Sequence, residues 1–136
     1  MKLQIEDQRT IASVQKDFAE HFPFLKIEFF SKSHRAGKGT SKAYMRDTSL
    51  RISDCRSKHL NGELEIQPGM TVTELEQRLH DEFGLNVQVF RKSGKLWLET
   101  TATDSWTLGA QNTQGEELDH VNISSRRDEV DYHEQE

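Results

Sequence analysis

Between Met70 and Leu85 the sequence contains a complete helix with start, buried face and end, and any fold of this chain has to bury that face. Thr71 and Glu74 stand in the T-x-x-E arrangement of a capping box, where the Thr71 hydroxyl accepts from the Glu74 amide and the Glu74 carboxylate reaches back. Met70 and Leu75 take the positions of a hydrophobic staple across the same cap. Val72, Leu75, Leu79 and Phe83 recur at helical spacing as one apolar stripe. Gly84 falls where a left-handed residue ends a helix, and Leu85 is placed to fold back on Leu79.

Such a helix needs an apolar layer beneath it, and the segments around it read as strands. Glu63-Leu64-Glu65-Ile66 alternates before it, and Pro68-Gly69 turns the chain. After it, Val87-Gln88-Val89-Phe90 and Leu96-Trp97-Leu98-Glu99 flank Arg91 to Lys95, a glycine-bearing connection suited to a β-hairpin. Upstream, Ile11, Val14, Phe18 and Phe22 form the stripe of a first helix over Thr10 to Phe22, stopped by Pro23. Phe24 to Phe30 then alternates as a strand with Leu25, Ile27 and Phe29 on one face. Thr48 to Ser53 reads as a further short strand, and Thr103-Asp104-Ser105 offers caps for a turn around Trp106 and Leu108.

The expected fold class is α+β: a small mixed sheet packed by the well-capped helix, with an extra N-terminal helix. A length of 136 residues suits one domain, and an apolar share of 33% implies a small core with some chain outside it. The domain is expected over residues 8–112, with a long, irregular basic insertion at 32–61 and an acidic, disordered tail over 113–136.

Over Gly62 to Asn112, the chain resembles the ubiquitin-like β-grasp. The likeness is carried by Leu64-Glu65-Ile66-Gln67-Pro68, Thr71-Val72-Thr73-Glu74-Leu75, Gly84-Leu85, Val89-Phe90 through Gly94-Lys95-Leu96, and then Asp104, Thr107-Leu108 and Asn112. The resemblance implies a binding scaffold and no particular activity. The chain ends in Asp131-Tyr132-His133-Glu134-Gln135-Glu136 and has no terminal Gly-Gly, so conjugation as a modifier is not expected.

Charge is distributed unevenly. Lys32, Arg35, Lys38, Lys42, Arg46, Arg51, Arg56 and Lys58 face only Asp47 and Asp54 in the middle of a chain whose net charge is -5. From Glu116 onward eight acids face only Arg126 and Arg127. Two expectations follow: an anionic partner for the basic segment, or a salt-sensitive attraction between that segment and the tail. Polyanion binding, nucleic acid included, would fall to Lys32, Arg35, Lys38, Lys42 and Arg46, with Tyr44 available to stack on a base. Arg35 to Lys42 fails the G-x-x-x-x-G-K-[ST] pattern of a phosphate-binding loop, because Gly39 separates Lys38 from Thr40.

Catalytic signatures are weak. Cys55 and His59 stand four apart, but a thiolate nucleophile needs a third, orienting group that the sequence does not place. The six histidines show no paired ligand spacing, so no metal or other cofactor is expected. Enzymatic chemistry would require a site assembled only in three dimensions. Trp97 alternates with Leu96 and Leu98, so it either anchors a partner or lies under Ile11, Val14 and Phe18 of the first helix. A non-catalytic protein-interaction module is the leading expectation. One cysteine cannot form an internal disulfide, and no secretory or membrane-spanning stretch is visible, so the cytoplasm is the expected location.

Overall fold

The computed structural model describes residues 1–32, 39 and 42–125, with side chains up to Asp119. The fold is α+β. In chain order it comprises β1 (Lys2–Ile5), α1 (Ile11–His21), β2 (Leu25–Phe30), β3 (Gly62–Glu65), α2 (Val72–Phe83), β4 (Asn86–Ser93), β5 (Leu96–Glu99) and α3 (Leu108–Ser125). Among the described residues, no helix is long and apolar enough to cross a membrane.

Both expected helices form on their apolar stripes, and of the Thr71–Glu74 box the hydroxyl half is present. The Thr71 hydroxyl accepts from the Glu74 amide at 3.0 Å, Gly84 takes φ 68°, and the Leu85 amide returns to the Leu79 carbonyl at 3.1 Å. Thr10 caps α1 in the same way, accepting from the Ser13 amide at 3.2 Å. Ile11, Val14 and Phe18 of α1 and Val72, Leu75, Leu79 and Phe83 of α2 enter one core with Leu25, Ile27, Phe29, Val87 and Val89.

The strand pairing differs from the expected mixed sheet. Two antiparallel sheets form, β1-β3 and β2-β4-β5. The domain therefore starts before residue 8, because Leu3 of β1 lies opposite Leu64 of β3 and both are fully buried. The β-grasp pairing is not reproduced within 62–112, since β3 pairs with β1 and lies in a separate sheet from the β4-β5 hairpin. Thr48 to Ser53 is also not a strand. Arg51 makes an isolated bridge to Thr10, and Ile52–Cys55 forms a 3-10 turn.

The two halves repeat one motif. Thr10, Ile11, Val14, Phe18 and Phe22 correspond to Thr71, Val72, Leu75, Leu79 and Phe83. The Ile11 amide bonds to the Leu50 carbonyl and the Ile52 amide to Arg9, as Val72 bonds to Trp106 and Leu108 to Met70. Corresponding residues also face each other, Leu3 opposite Leu64 and Glu28 opposite Gln88, which places an approximate two-fold axis between the halves. In this scheme the bridge of Phe30 to Met45 matches the pairing of Phe90 with Glu99, so the stretch around Met45 is the counterpart of β5.

Helix α3 continues to Ser125, past the boundary expected at 112, so over 113–125 the expected disordered tail is corrected to helix, and its remainder, 126–136, lies outside the described residues. It docks on small and polar residues. Gly115 is buried against Phe24 and Arg91. Gln111 is fully buried, its Oε1 accepting from Arg91 Nη1 at 2.9 Å and its Nε2 donating to the Thr103 carbonyl at 2.8 Å. Asn112 Oδ1 accepts from the Phe24 amide at 2.9 Å. A search for large apolar residues overlooks a helix held this way.

Candidate functional site

Alternation along β2 and β4 turns Leu25, Ile27, Phe29, Val87 and Val89 toward the helices, which leaves Lys26, Glu28, Phe30, Gln88 and Phe90 on the opposite face. The pairing of Phe90 with Glu99 and Lys92 with Trp97 puts Trp97 and Glu99 on that outer face too. Phe30 and Phe90 are nevertheless buried. The insertion reaches this face at Gly39, where an added Cβ would come 2.5 Å from Glu99 Oε2 and 3.0 Å from Gln88 Oε1. At least at Gly39, the insertion meets a carboxylate of its own domain.

Trp97 is one of the exposed large side chains, at 36% accessibility. It is not covered by Ile11, Val14 and Phe18, which lie in the core beneath the other face. Lys26 Nζ lies 5.0 Å from the Trp97 ring and 3.1 Å from Glu28 Oε2, so one ammonium stacks on the indole and pairs with an acid. Leu96 beside it is more exposed still, at 57%.

The two sides of this sheet end differently. Along β2, the Ile27 carbonyl accepts from Gln15 Nε2 at 2.6 Å, the Phe29 carbonyl from the Arg46 amide at 2.7 Å, and the Ser31 amide donates to Tyr44 at 2.8 Å. That side is closed by the chain itself. β5 is the other side. The Thr100 amide points inward to the Val89 carbonyl at 3.3 Å, and the Lys92 amide points away from β5 to the Phe24 carbonyl at 2.9 Å. Antiparallel alternation then turns the backbone groups of Leu96 and Leu98 inward and those of Trp97 and Glu99 outward. Among the described residues nothing bonds to this outer edge.

The basic residues separate into two kinds. Lys32 and Lys42 are exposed, and Lys32 Nζ sits 4.4 Å above the exposed Tyr44 ring. Arg46 is half-buried, its Nε enclosed without a hydrogen-bond partner. Arg35 and Lys38 lie outside the described residues. Arg51 and Arg56 serve the fold instead: Arg51 Nη1 donates to the Gln8 carbonyl, while Arg56 reaches Asp7 Oδ1, the Leu60 carbonyl and the Phe83 carbonyl at 2.8, 2.8 and 2.9 Å. Asp119 of α3, among the acids of the expected tail, lies 3.7 Å from Lys92 of β4 and not on the insertion.

Cys55 and His59 are not brought together as a catalytic pair. Cys55 is buried with Sγ 3.5 Å from the Arg51 carbonyl, and burial pushes its thiol up despite the nearby Arg46, which makes it a poor nucleophile. His59 Nδ1 instead lies 3.0 Å from Asp7 Oδ2. The Arg56 side chain, helped by His59, holds the Asp7 carboxyl below its ordinary range. Among the described residues, no three His, Cys, Asp or Glu side chains gather into a metal-binding group. A shallow groove beside Trp106, lined also by Ala110, Thr113 and Glu117, contains neither Cys55 nor a histidine.

Sequence reasoning singled out Trp97 but missed its setting, the open backbone edge and the Lys26 stack. The signal for the stack was the alternation of Phe24 to Phe30, which already placed Lys26 opposite the core face. The edge had no local signal, because strand order is a long-range property. Compared with known protein families, curated proteins and solved structures, the chain matches none.

Proposed function

We propose that this protein is a non-catalytic protein-interaction module that takes an extended segment of its partner as an added strand along β5. The observation that carries the reading is the contrast between the two sides of one sheet. The chain closes the β2 side with Gln15, Tyr44 and Arg46, whereas among the described residues nothing bonds to the outer edge of β5, where Leu96 and Trp97 are exposed. Natural sheets protect edge strands by shortness, charge, proline, a bulge or a covering segment; β5 is short and meets the insertion at Gly39, yet Leu96 and Trp97 stay exposed on it, which supports a place of contact. Main-chain groups of Trp97 and Glu99 would supply affinity, and the indole an anchor.

The test compares capture of proteins from the native cell extract by the immobilised chain and by Leu96→Lys, with Leu60→Lys as an exposed control. Leu60 is 50% accessible and lies outside the β2-β4-β5 sheet. Loss of a specific band with Leu96→Lys alone supports the reading. Equal capture by all three chains overturns it.

A second reading, polyanion binding, is favoured by exposed Lys32 and Lys42 beside the exposed Tyr44 ring. Charge reversal at Lys38 and Lys42 should then weaken binding to single-stranded nucleic acid and flatten its salt dependence. Absence of binding even at low salt would end this reading.

A further inference from the structure

We propose that the segment β5 accepts is β5 of a second copy of this chain, the two strands pairing antiparallel about Trp97. The inference rests on the edge-binding reading above and names the partner. The strand and its preceding turn residue read Lys95-Leu96-Trp97-Leu98-Glu99. Laid antiparallel on itself with Trp97 opposite Trp97, this segment puts Lys95 opposite Glu99 at both ends and Leu96 opposite Leu98 between. Every cross-strand position meets a suitable partner: opposite charges at the ends, leucines inside, and an aromatic pair at the centre.

The backbone agrees with the same register. Trp97 and Glu99 are the β5 residues whose amide and carbonyl point to the open edge. A two-fold axis at Trp97 therefore creates a hydrogen-bonded pair, each Trp97 N–H donating to the other Trp97 carbonyl, while Lys95, in the turn that precedes β5, brings its side chain to the Glu99 end of the other strand. Sliding the strands by two residues sets Trp97 against Glu99 or against Lys95 and loses both Lys–Glu matches. Such a contact is isologous, closes on itself, and merges two three-stranded sheets into one of six strands. Closure also hides the edge from indefinite strand addition, the hazard that an exposed apolar edge otherwise carries.

The experiment is sedimentation velocity on the full chain across a wide concentration range, with charge variants at the two ends. The wild type should show a monomer–dimer equilibrium. Lys95→Glu should oppose Glu to Glu at both ends and weaken self-association on the order of tenfold or more, and Glu99→Lys should do likewise with lysines. Mixing the two single variants should restore association, because each chain then carries the charge the other lacks. Lys95 is exposed in the hairpin turn, so Lys95→Glu tests the contact with the fold intact, as circular dichroism would verify. A monomeric wild type at every concentration, a Lys95→Glu variant that dimerises undiminished, or a mixture that stays monomeric overturns the proposal. If it fails while Leu96→Lys still abolishes capture of a different protein, edge binding stands and only the identity of the partner is wrong. If both fail, both are wrong.

Discussion

Replacing Gly115 by alanine sets two physical effects against each other, and the sign of the result reports whether α3 is docked. Alanine in a helix interior is favoured over glycine by about 0.8–1.0 kcal/mol. Against this, a Cβ at Gly115 would lie 2.9 Å from Phe24 Cβ, 3.1 Å from the Phe24 carbonyl oxygen and 3.2 Å from Arg91 Cγ. The closest of these is shorter than real Cβ contacts, so the helix, the Phe24 segment or the buried Arg91 has to move. Overpacking of that kind costs about 1–3 kcal/mol. The net expectation for Gly115→Ala is a loss of ~0–2 kcal/mol, and Gly115→Val should lose more, since valine adds volume and has a smaller helical advantage. Urea denaturation followed by circular dichroism measures both, with Glu116→Ala, at the exposed neighbouring position, as the control. An unstructured segment would show no change in any variant. A helix formed but undocked would be stabilised by about 1 kcal/mol in Gly115→Ala, and either of those results would refute the packing described for α3.

Leu79, fully buried at the centre of the α2 stripe, should cost about 2–5 kcal/mol when truncated to alanine, and a smaller loss in chemical denaturation would mean that α2 packs loosely. Asp7 offers a pH test. Its folded carboxyl is held below the ordinary range, chiefly by Arg56, so its contribution is present above the unfolded aspartate value of about 3.9 and is lost as pH falls through the folded value. The stability gap between the wild type and Asp7→Asn should therefore shrink as acid is added below about pH 4, and a gap that widens there would contradict the Arg56–Asp7 pairing.

Much of the fold was legible where the cause is local. The stripes Ile11-Val14-Phe18 and Val72-Leu75-Leu79-Phe83, the Thr71 cap and the Gly84 stop act within a few residues, and the α+β class follows from helices of that kind set among alternating strands. The repeat was also present in the residues, in the match of Thr10, Ile11, Val14, Phe18 and Phe22 to their counterparts from Thr71 to Phe83. Comparing the halves would have raised Lys2–Ile5 to a strand, because Leu3 and Ile5 match Leu64 and Ile66. Helix α3 was hidden for a different reason: its docking depends on the absence of a side chain at Gly115 and on Gln111 and Asn112 finding partners from distant segments.

By itself, then, the sequence determined the two amphipathic helices, the hairpin and the excess of positive charge in the middle, since propensity, periodicity and capping are short-range interactions that neighbouring residues settle among themselves. Only the tertiary structure decided that β3 pairs with β1, that Arg51 and Arg56 are used inside the domain, and that β5 is left at an edge with Trp97 outward. Those outcomes turn on which segments far apart in the chain claim each backbone hydrogen bond and each buried charge, and no local pattern encodes that competition.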